Sequence, residues 1–387
     1  MSLLPLIRRF LLCFIVSLLC LGSFAASARE PELPIQAQAY CLMDSMDRQV
    51  LAQDRAHEPL PMASTTKIMT AVVVLERCQL NQTVRVSPLA VGVEGSSAYL
   101  QAGEELSVEQ LLYALMLESA NDAAVALAIH AAGSVEQFVD WMNQTAQAIG
   151  MEHSSFKNPH GLSAQGHCAC AHDMALLMAH AMKIELFRHV TSQGSYRASM
   201  KENGEYRYFS NHNRLLDRYE YCIGGKTGYT LAAGRCVVTS SLTDGVELIA
   251  VTLNDRNDWN DHITLYEYGF GLYQQMCIAK AGEVVYQLPV VGGATQAVTV
   301  SNQQDFIKHL RENCQIKAVI QLPRFLYAPV TSQKKNPSGY QIPIGRVLYY
   351  GNGALLGSLD LYADHNVEAE PPLSFWEKIL RFFGWLE

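Results

Sequence analysis

Hydrophobic residues along the chain follow two different periods, one typical of strands and one typical of helices. "AYCLMD" (39–44) and "QVLAQD" (49–54) have the composition of two short strands joined by a polar turn. Helical spacing of apolar residues begins at residue 65 and continues to 76. Further helices are predicted over residues 108–117, 123–132, 135–149 and 172–182. Ser107 with Gln110, and Ser134 with Gln137, are capping-box pairs that open two of them.

The period changes toward two after Tyr206. Strands are predicted over 221–230, 234–242 and 246–255, and Asp244-Gly245 is a hairpin signal between the last two. A helix over about 262–273 closes this part of the chain. Because strands stand at both ends and helices lie between them, the pattern predicts an α+β fold, an antiparallel sheet packed by helices with an inserted helical block.

The C-terminal third has a different pattern, with short strands separated by turn residues. They are predicted within 283–293, 297–302, 317–322 and 346–363, where Asn352-Gly353 is a strong hairpin signal. We therefore predict a main domain over 29–279 and a small all-β domain over 280–363. Residues 364–387 are an acidic linker followed by an amphipathic segment.

The apolar stripe of that last segment consists of Phe375, Ile379, Phe382 and Leu386. The segment is too short to span a bilayer, but it suits a helix that lies in the membrane surface. The alternative is a terminal helix that docks on its own protein.

The N-terminus has the three parts of a secretory signal. Arg8 and Arg9 precede an apolar run over 10–24, and Ala26-Ser27-Ala28 provides small residues for cleavage. A membrane anchor is the alternative, although the run is short for a span. We predict that residues 1–28 are a signal peptide and that the protein acts outside the cytoplasmic membrane, in the periplasm or at the face of the cell wall.

The composition of the chain narrows the range of functions that the protein could have. Hydrophobic residues are 49% and charged residues 17%, which is typical of a globular chain, and the net charge of −8 argues against general binding to nucleic acid. Removal of residues 1–28 leaves eight cysteines, which are scattered through a chain large enough to need no disulfide framework. Their pairing, if any, cannot be deduced from the sequence.

The first candidate catalytic motif is Ser64-Thr65-Thr66-Lys67. At a helix start, Lys67 lies one turn after Ser64 and its amine can reach the serine oxygen. A serine becomes a good nucleophile only when a base removes its proton, and a lysine can do so only if burial or a nearby cation lowers its pKa. Alone, this motif fits a solvated helix lysine better.

Two other motifs have similar alternatives. Ser119-Ala120-Asn121 stands between predicted helices, where a serine can relay a proton and an asparagine can orient a lysine, but it also suits an ordinary interhelical cap. Lys226-Thr227-Gly228 lies on a predicted strand. On an edge strand its backbone could pair with an extended substrate, and its cation and hydroxyl could bind a carboxylate. A simple turn at the strand end is the alternative.

Taken together, the three motifs match the set found in β-lactamases and penicillin-binding proteins. The chain resembles the serine-type D-alanyl-D-alanine carboxypeptidases, the low-molecular-mass penicillin-binding proteins, from about Ala37 to the C-terminus. The resemblance rests on "PLPMASTTKIMTA", "MLESANDAA", "NPHGL" followed by His167 and "AHDMA", and "GGKTGYT". The β domain and the amphipathic tail also resemble the family's C-terminal parts.

The resemblance implies a specific chemistry. Ser64 would attack the D-Ala-D-Ala bond of peptidoglycan stem peptides, with Lys67 as the base and Ser119 and Asn121 assisting. The terminal D-alanine would leave, and water would hydrolyse the acyl-enzyme. Backbone N–H groups of Ser64 and Tyr229 would form the oxyanion hole. The substrate would also be bound by Lys226, Thr227 and Gly228. Penicillins would acylate Ser64, and neither a metal nor an organic cofactor would be required.

Several alternatives remain open at this point. A β-lactamase shares the fold, although no Glu-x-x-Leu-Asn is present, and a non-catalytic wall-binding homologue or a transpeptidase would also fit. "HGLSAQGHCACAHD" is rich in metal ligands, namely His160, His167, Cys168, Cys170 and His172. Its match to the family pattern favours a role without zinc. Some relatives bind the substrate carboxylate with an arginine downstream of Lys-Thr-Gly, and the nearest comparable segment here contains Arg256.

Overall fold

The computed structural model describes residues 33–199, 206–332, 335, 341–371, 374–383 and 385. The predicted signal peptide over 1–28 lies outside the described residues, as does Leu386 of the predicted tail stripe. Within the part of the chain that is described, no helix is long and apolar enough to cross a membrane.

The main sheet is antiparallel throughout, in the order β2-β1-β9-β8-β7. Its strands are β1 (Ala39–Asp44), β2 (Val50–Asp54), β7 (Cys222–Thr230), β8 (Gly234–Thr243) and β9 (Val246–Leu253). The first strand of the chain, β1, thus pairs with β9, which follows it by some 200 residues, and β2 extends the sheet beyond β1. The strand β7, which carries Lys-Thr-Gly, is at one edge of this sheet.

A block of helices and short strand pairs separates β2 from β7. It contains two short pairs, β3 (Thr83–Arg85) with β4 (Glu105–Ser107), and β5 (Ser195–Ser199) with β6 (Tyr206–Ser210). The helices are α1 (Lys67–Arg77), α2 (Val108–Met116), α3 (Asn121–Ala132), α4 (Val135–Ile149), α5 (Ala171–Ala181), α6 (Glu185–Ser192) and the short α7 (Leu215–Arg218). A further helix, α8 (Asp258–Phe270), follows β9 along the chain.

Side-chain hydrogen bonds at the helix starts account for the predicted caps. Ser107 and Gln110 form the complete reciprocal box at the start of α2. Ser134 accepts a hydrogen bond from the Gln137 backbone N–H, so its side chain caps α4. Gly133 and Gly150 end α3 and α4 in the left-handed conformation that glycine adopts without strain. The α8 prediction was displaced, because the helix begins at Asp258 and not at residue 262.

The sheet is covered on both faces, which follows from the alternation of side chains along its strands. Cys41 and Met43 of β1 belong to the core shared with the helical block. Leu42 points to the other face, where its side chain and Leu248 border Gly269 of α8. A central layer of strands between helices therefore confirms the predicted α+β class with an inserted helical block.

The C-terminal part is a β domain. Among the described residues, its larger sheet has the order β14-β16-β17-β12-β11-β15, and a separate pair joins β10 to β13. The strands are β10 (Tyr273–Ala279), β11 (Val285–Val291), β12 (Ala297–Asn302), β13 (Phe306–Arg311), β14 (Ile316–Gln321), β15 (Leu326–Tyr327), β16 (Gly345–Gly351) and β17 (Ala354–Ala363).

The hairpin between β16 and β17 turns at Asn352-Gly353, and both residues have the positive φ that this turn requires. Strand β10 precedes residue 280 and pairs with β13, which follows it. The domain boundaries at 280 and 364 stay predictions. The tail contains a helix, α9 (Phe375–Phe382).

Candidate active site

Ser64 lies in a 3₁₀ turn, Ala63–Thr66, that runs directly into α1. The two threonines of the motif tighten this turn, since Thr65 Oγ1 donates to Met62 O and Thr66 Oγ1 donates to Ala63 O, at 2.6 and 2.8 Å. Ala63 has a φ of +50°, so the chain bends sharply just before the serine. The turn leaves Ser64 partly exposed while its neighbours Thr65 and Thr66 are buried.

Lys67 is completely buried, and its amine contacts three oxygens. Nζ lies 3.0 Å from Ser64 Oγ, and it donates to Asn121 Oδ1 and to His160 O, both at 2.6 Å. A neutral amine has two N–H groups, which the two carbonyl oxygens accept, so its lone pair is left to face the Ser64 hydroxyl. This is the arrangement that a general base for Ser64 needs.

The protonation equilibrium of Lys67 also favours the neutral amine. Burial lowers the pKa of Lys67 well below its ordinary value, the Lys226 charge lowers it further, and Asp122 opposes the shift. Burial likewise lowers the pKa of Lys226 to about 7, against the opposing effect of Glu118. Two buried amines that are both costly to charge therefore lie close enough for the charge of Lys226 to act on Lys67.

Ser119, Ala120 and Asn121 connect α2 to α3, as the sequence predicts. Ser119 is buried and has a φ of +61°, which is unusual for a residue with a β-carbon. Two hydrogen bonds fix the orientation of Asn121, because its Nδ2 donates to Glu94 O and its backbone N–H donates to Ser96 O at 2.8 Å. The side-chain oxygen of Asn121 is thereby directed to Lys67.

The Lys-Thr-Gly segment of β7 lies beside the 3₁₀ turn. Lys226 is buried and its Nζ donates to Thr227 O at 2.9 Å, whereas Tyr229 is exposed. Gly228 lies against the serine backbone, since a β-carbon there would stand 2.7 Å from Ser64 N. Only glycine allows the strand and the turn to come this close.

These elements border a cleft of about 580 Å³. The predicted residues Ser64, Ser119, Thr227, Gly228 and Tyr229 line it, while Lys67, Asn121 and Lys226 are buried beside these residues and do not line the cleft. The structure therefore brings the eight predicted site residues together in one place.

The cleft also has a cationic side that the motif analysis missed. Three arginines line it, Arg214, Arg218 and Arg235, together with His212. Arg235 lies opposite Tyr229 in the β7–β8 pairing, and it approaches Asp258 to 3.7 Å. Arg256, the arginine singled out from the sequence, is exposed and is not among the residues that line the cleft. Arg235 could have been found from the predicted hairpin, because it follows the turn immediately after Lys-Thr-Gly.

Two of the three histidines of "HGLSAQGHCACAHD", His160 and His167, contact the motif that carries Ser64. His167 Nδ1 accepts from the Lys157 backbone N–H at 2.9 Å, so Nε2 carries the hydrogen and donates to Thr66 Oγ1 at 2.9 Å. Burial is the main reason why the pKa of His167 falls to about 4, and the same holds for His160. The carbonyl of His160 is one of the Lys67 acceptors.

Comparison with known proteins agrees with this geometry. The D-alanyl-D-alanine carboxypeptidase family profile matches residues 25–257. The chain is 30% identical to D-alanyl-D-alanine carboxypeptidase DacF of Bacillus subtilis, over 95% of this chain and 93% of that one. It is 32% identical to DacC of Escherichia coli, over 67% of each chain.

Solved structures show the same relationship. Penicillin binding protein 5 of Haemophilus influenzae matches with a TM-score of 0.60 and 27% identity, over 86% of this chain and 98% of that one. A D-alanyl-D-alanine carboxypeptidase of Mycobacterium tuberculosis matches with a TM-score of 0.60 and 31% identity, over 63% of this chain and 95% of that one. The chain therefore belongs to the D-alanyl-D-alanine carboxypeptidase family, and it is a serine hydrolase with the fold of the penicillin-binding proteins.

Proposed function

We propose that this chain removes the terminal D-alanine from peptidoglycan stem peptides through an acyl-enzyme on Ser64. One observation carries the proposal. The buried Lys67 amine contacts Ser64 Oγ while Asn121 Oδ1 and His160 O accept its other hydrogens. Family membership supplies the substrate class.

Acylation begins when Lys67 takes the Ser64 proton and Oγ attacks the carbonyl between the two D-alanines. The backbone N–H groups of Ser64 and Tyr229 receive the developing oxyanion. Such a donor contributes on the order of 3 kcal/mol to the transition state. The position of Gly228 supports this role, because it lets β7 approach Ser64 N closely.

The bond to the terminal D-alanine then breaks, and its amine must gain a proton. Ser119 lines the same cleft as Ser64 and is the group that relays the proton from Lys67. Asn121 holds Lys67 in place through its side-chain oxygen. Water next hydrolyses the ester, and the base for that step is again Lys67.

Recognition of the substrate carboxylate falls to the cationic side of the cleft. Thr227 offers its hydroxyl there, with the Lys226 amine behind it, and Arg235 adds a guanidinium that can bind a carboxylate through two hydrogen bonds. Tyr229 extends the edge of β7, along which the stem peptide would pair as an additional strand.

The decisive experiment is release of free D-alanine from a peptide that ends in D-Ala-D-Ala. The wild-type chain should release it, penicillin should block the release, and Ser64→Ala should abolish it. Ser163→Ala changes an exposed serine of a neighbouring loop and is the matched control. Release that persists in Ser64→Ala would refute the role of this serine.

The fate of a bound penicillin separates the two enzyme classes that share this fold. A carboxypeptidase of this family should hold a fluorescent penicillin as a long-lived adduct on Ser64. Rapid turnover of the adduct would instead favour a β-lactamase.

We also propose that the protein works outside the cytoplasmic membrane and that its tail binds the membrane surface. The tail exposes Phe375, Trp376, Phe382, Phe383 and Trp385, each at least 60% exposed. Aromatic groups of this kind sit at the level of the lipid headgroups.

Co-sedimentation with vesicles that contain phosphatidylglycerol tests the tail. The full chain should sediment, and a Trp376→Ser, Phe382→Ser double variant should stay in the supernatant. Leu89→Ser, which alters another exposed apolar residue, is the control. Equal sedimentation of all three proteins would contradict the proposal.

A further inference from the structure

Three potential metal ligands meet on the side of the helical block that carries the start of α5. They are His57, His153 and Cys170, which come from three different segments of the chain. One ligand atom of each, a ring nitrogen or the sulfur, lies within 4.8 Å of the others. None of them lines the active-site cleft. The mechanism proposed above leaves this cluster without a function.

The backbone fixes the three segments against one another. Leu60 N donates to Ala169 O and His172 N donates to Ala56 O, both at 2.9 Å, which pins the segment of His57 to that of Cys170. On the other side, Ser155 N donates to Cys168 O at 2.8 Å. The segment that carries Cys170 therefore runs between the two that carry the histidines.

Asp173 holds the His153 segment in place from the first turn of α5. Its buried carboxylate accepts from the His153 backbone N–H at 2.7 Å and from Ser154 Oγ at 2.8 Å. Its other oxygen lies 3.5 Å from His172 Nδ1. A dication bound beside this carboxylate and a Cys170 thiolate would have its charge balanced.

We propose that His57, His153 and Cys170 bind a zinc ion, with water completing the tetrahedron. Two imidazoles and one thiolate form a donor set that zinc prefers. Zinc–nitrogen and zinc–sulfur bonds of about 2.0 and 2.3 Å place tetrahedral ligand atoms about 3.5 Å apart. Because the described atoms lie within 4.8 Å of one another, they would have to close by at most about 1.3 Å. Both imidazoles are exposed and can rotate to do so, whereas Cys170 is buried and fixed.

The effect of the ion would be structural. Residues 153 and 170 are the two ends of the loop that presents His160 O to Lys67 and His167 to Thr66. A zinc ion that joins these ends would clamp the base of the loop. It would stabilise the folded chain without contacting the substrate. The inference does not depend on which reaction Ser64 performs.

Cobalt titration of the full chain, stripped of metal and kept reduced, tests the site. A Co²⁺ ion bound by a thiolate gives a charge-transfer band in the near ultraviolet, which imidazole ligands alone do not give. We expect the band to saturate at one Co²⁺ per chain and to disappear when Zn²⁺ is added. Zn²⁺ should also raise the thermal unfolding midpoint.

Substitutions identify the ligands. Cys170→Ser keeps a side chain that can cap α5 and should abolish the band. His57→Ala and His153→Ala should each weaken Co²⁺ binding at least tenfold. Cys168→Ser removes a neighbouring thiol and should change nothing. Labelling of Ser64 by penicillin should persist in all four variants, which shows that each is folded.

Three results would overturn the proposal. The first is a wild-type chain that binds Co²⁺ without the band, or not at all. The second is a band that survives in Cys170→Ser or that is insensitive to both histidine substitutions. A disulfide between Cys170 and Cys41, a buried thiol that is its electrostatic neighbour, would be detected by mass spectrometry and would also overturn it.

Discussion

Gly228 and Ser64 are in direct backbone contact. A β-carbon at residue 228 would stand 2.7 Å from Ser64 N and 3.0 Å from Thr65 N. The contact joins the edge strand to the turn that carries the proposed nucleophile. Any side chain at 228 must push the two apart.

Gly228→Ala should therefore slow acylation by penicillin about 100-fold, since a displacement of about 1 Å at a reacting centre can cost that much. The second-order rate of labelling by a fluorescent penicillin measures the loss. Gly194→Ala is the matched control, because nothing lies within 4 Å of a β-carbon at that position and its φ is not positive. Equal losses in both variants would contradict the explanation.

Lys67→Met should fold but lose acylation by a factor of 100 to 10,000, roughly the contribution of a general base. Methionine fills a similar volume and cannot accept the Ser64 proton. Thermal unfolding checks that the variant is folded, and Lys157→Met, which alters an exposed lysine, is the control. A Lys67→Met protein that labels at the wild-type rate would exclude this lysine as the base.

The pH dependence of acylation should report the charge of Lys226. The wild-type rate should rise with pH as Lys67 loses its proton. The Lys226 charge lowers the pKa of Lys67, so Lys226→Met should move this rising limb to higher pH. Labelling rates between pH 5 and 10 measure the profile. A limb that stays in place, or moves to lower pH, would rule out this coupling.

Acid should destabilise the chain partly through His167. Burial lowers the pKa of His167 from 6.5 to about 4, so between these values the unfolded chain binds more protons than the folded one. Stability is complete above pH 6.5 and falls as the pH drops toward 4, by up to about 1.4 kcal/mol per unit for one histidine. Urea unfolding at several pH values measures the slope.

His167→Gln should reduce that slope, and its stability at pH 7 should also fall because the bond to Thr66 changes. His189→Gln, which alters an exposed histidine, should keep the wild-type slope. An unchanged slope in His167→Gln would show that this histidine does not titrate as described.

Arg235→Gln should raise the KM for a D-Ala-D-Ala peptide about tenfold, because a charge-assisted hydrogen bond to the terminal carboxylate is lost. Arg256→Gln should leave it unchanged, since that arginine does not line the cleft. Steady-state release of D-alanine measures both. The reverse outcome would return carboxylate recognition to Arg256.

Local signals predicted most of the fold. Ser134 marks the start of α4 correctly through its side-chain cap, and Asn352-Gly353 fixes the β16–β17 turn through its backbone conformation. The start of α8 at Asp258 was missed because its first turn is polar and lacks the apolar spacing of a helix.

Contacts between site residues could be predicted from the sequence only where a short motif fixes the spacing of the residues. Ser64 and Lys67 lie on one turn, so their contact follows from spacing. Arg235 follows from the hairpin after Lys-Thr-Gly, whereas the His57–His153–Cys170 cluster depends on how distant segments pack, and no local pattern encodes that. Tertiary contacts of this kind become visible only once the chain is folded.

Strand β7 is at the edge of its sheet, and the backbone of an edge strand can pair with any extended polypeptide as well as with a substrate peptide. The turn that carries Ser64 restricts this, since it sits against the strand at Gly228. A long polypeptide should be unable to pair along the whole edge of β7, whereas a peptide whose chain ends beside Ser64 should fit. The contact at Gly228 should therefore limit aggregation through the edge of β7 and also favour substrates that bind by the end of their chain.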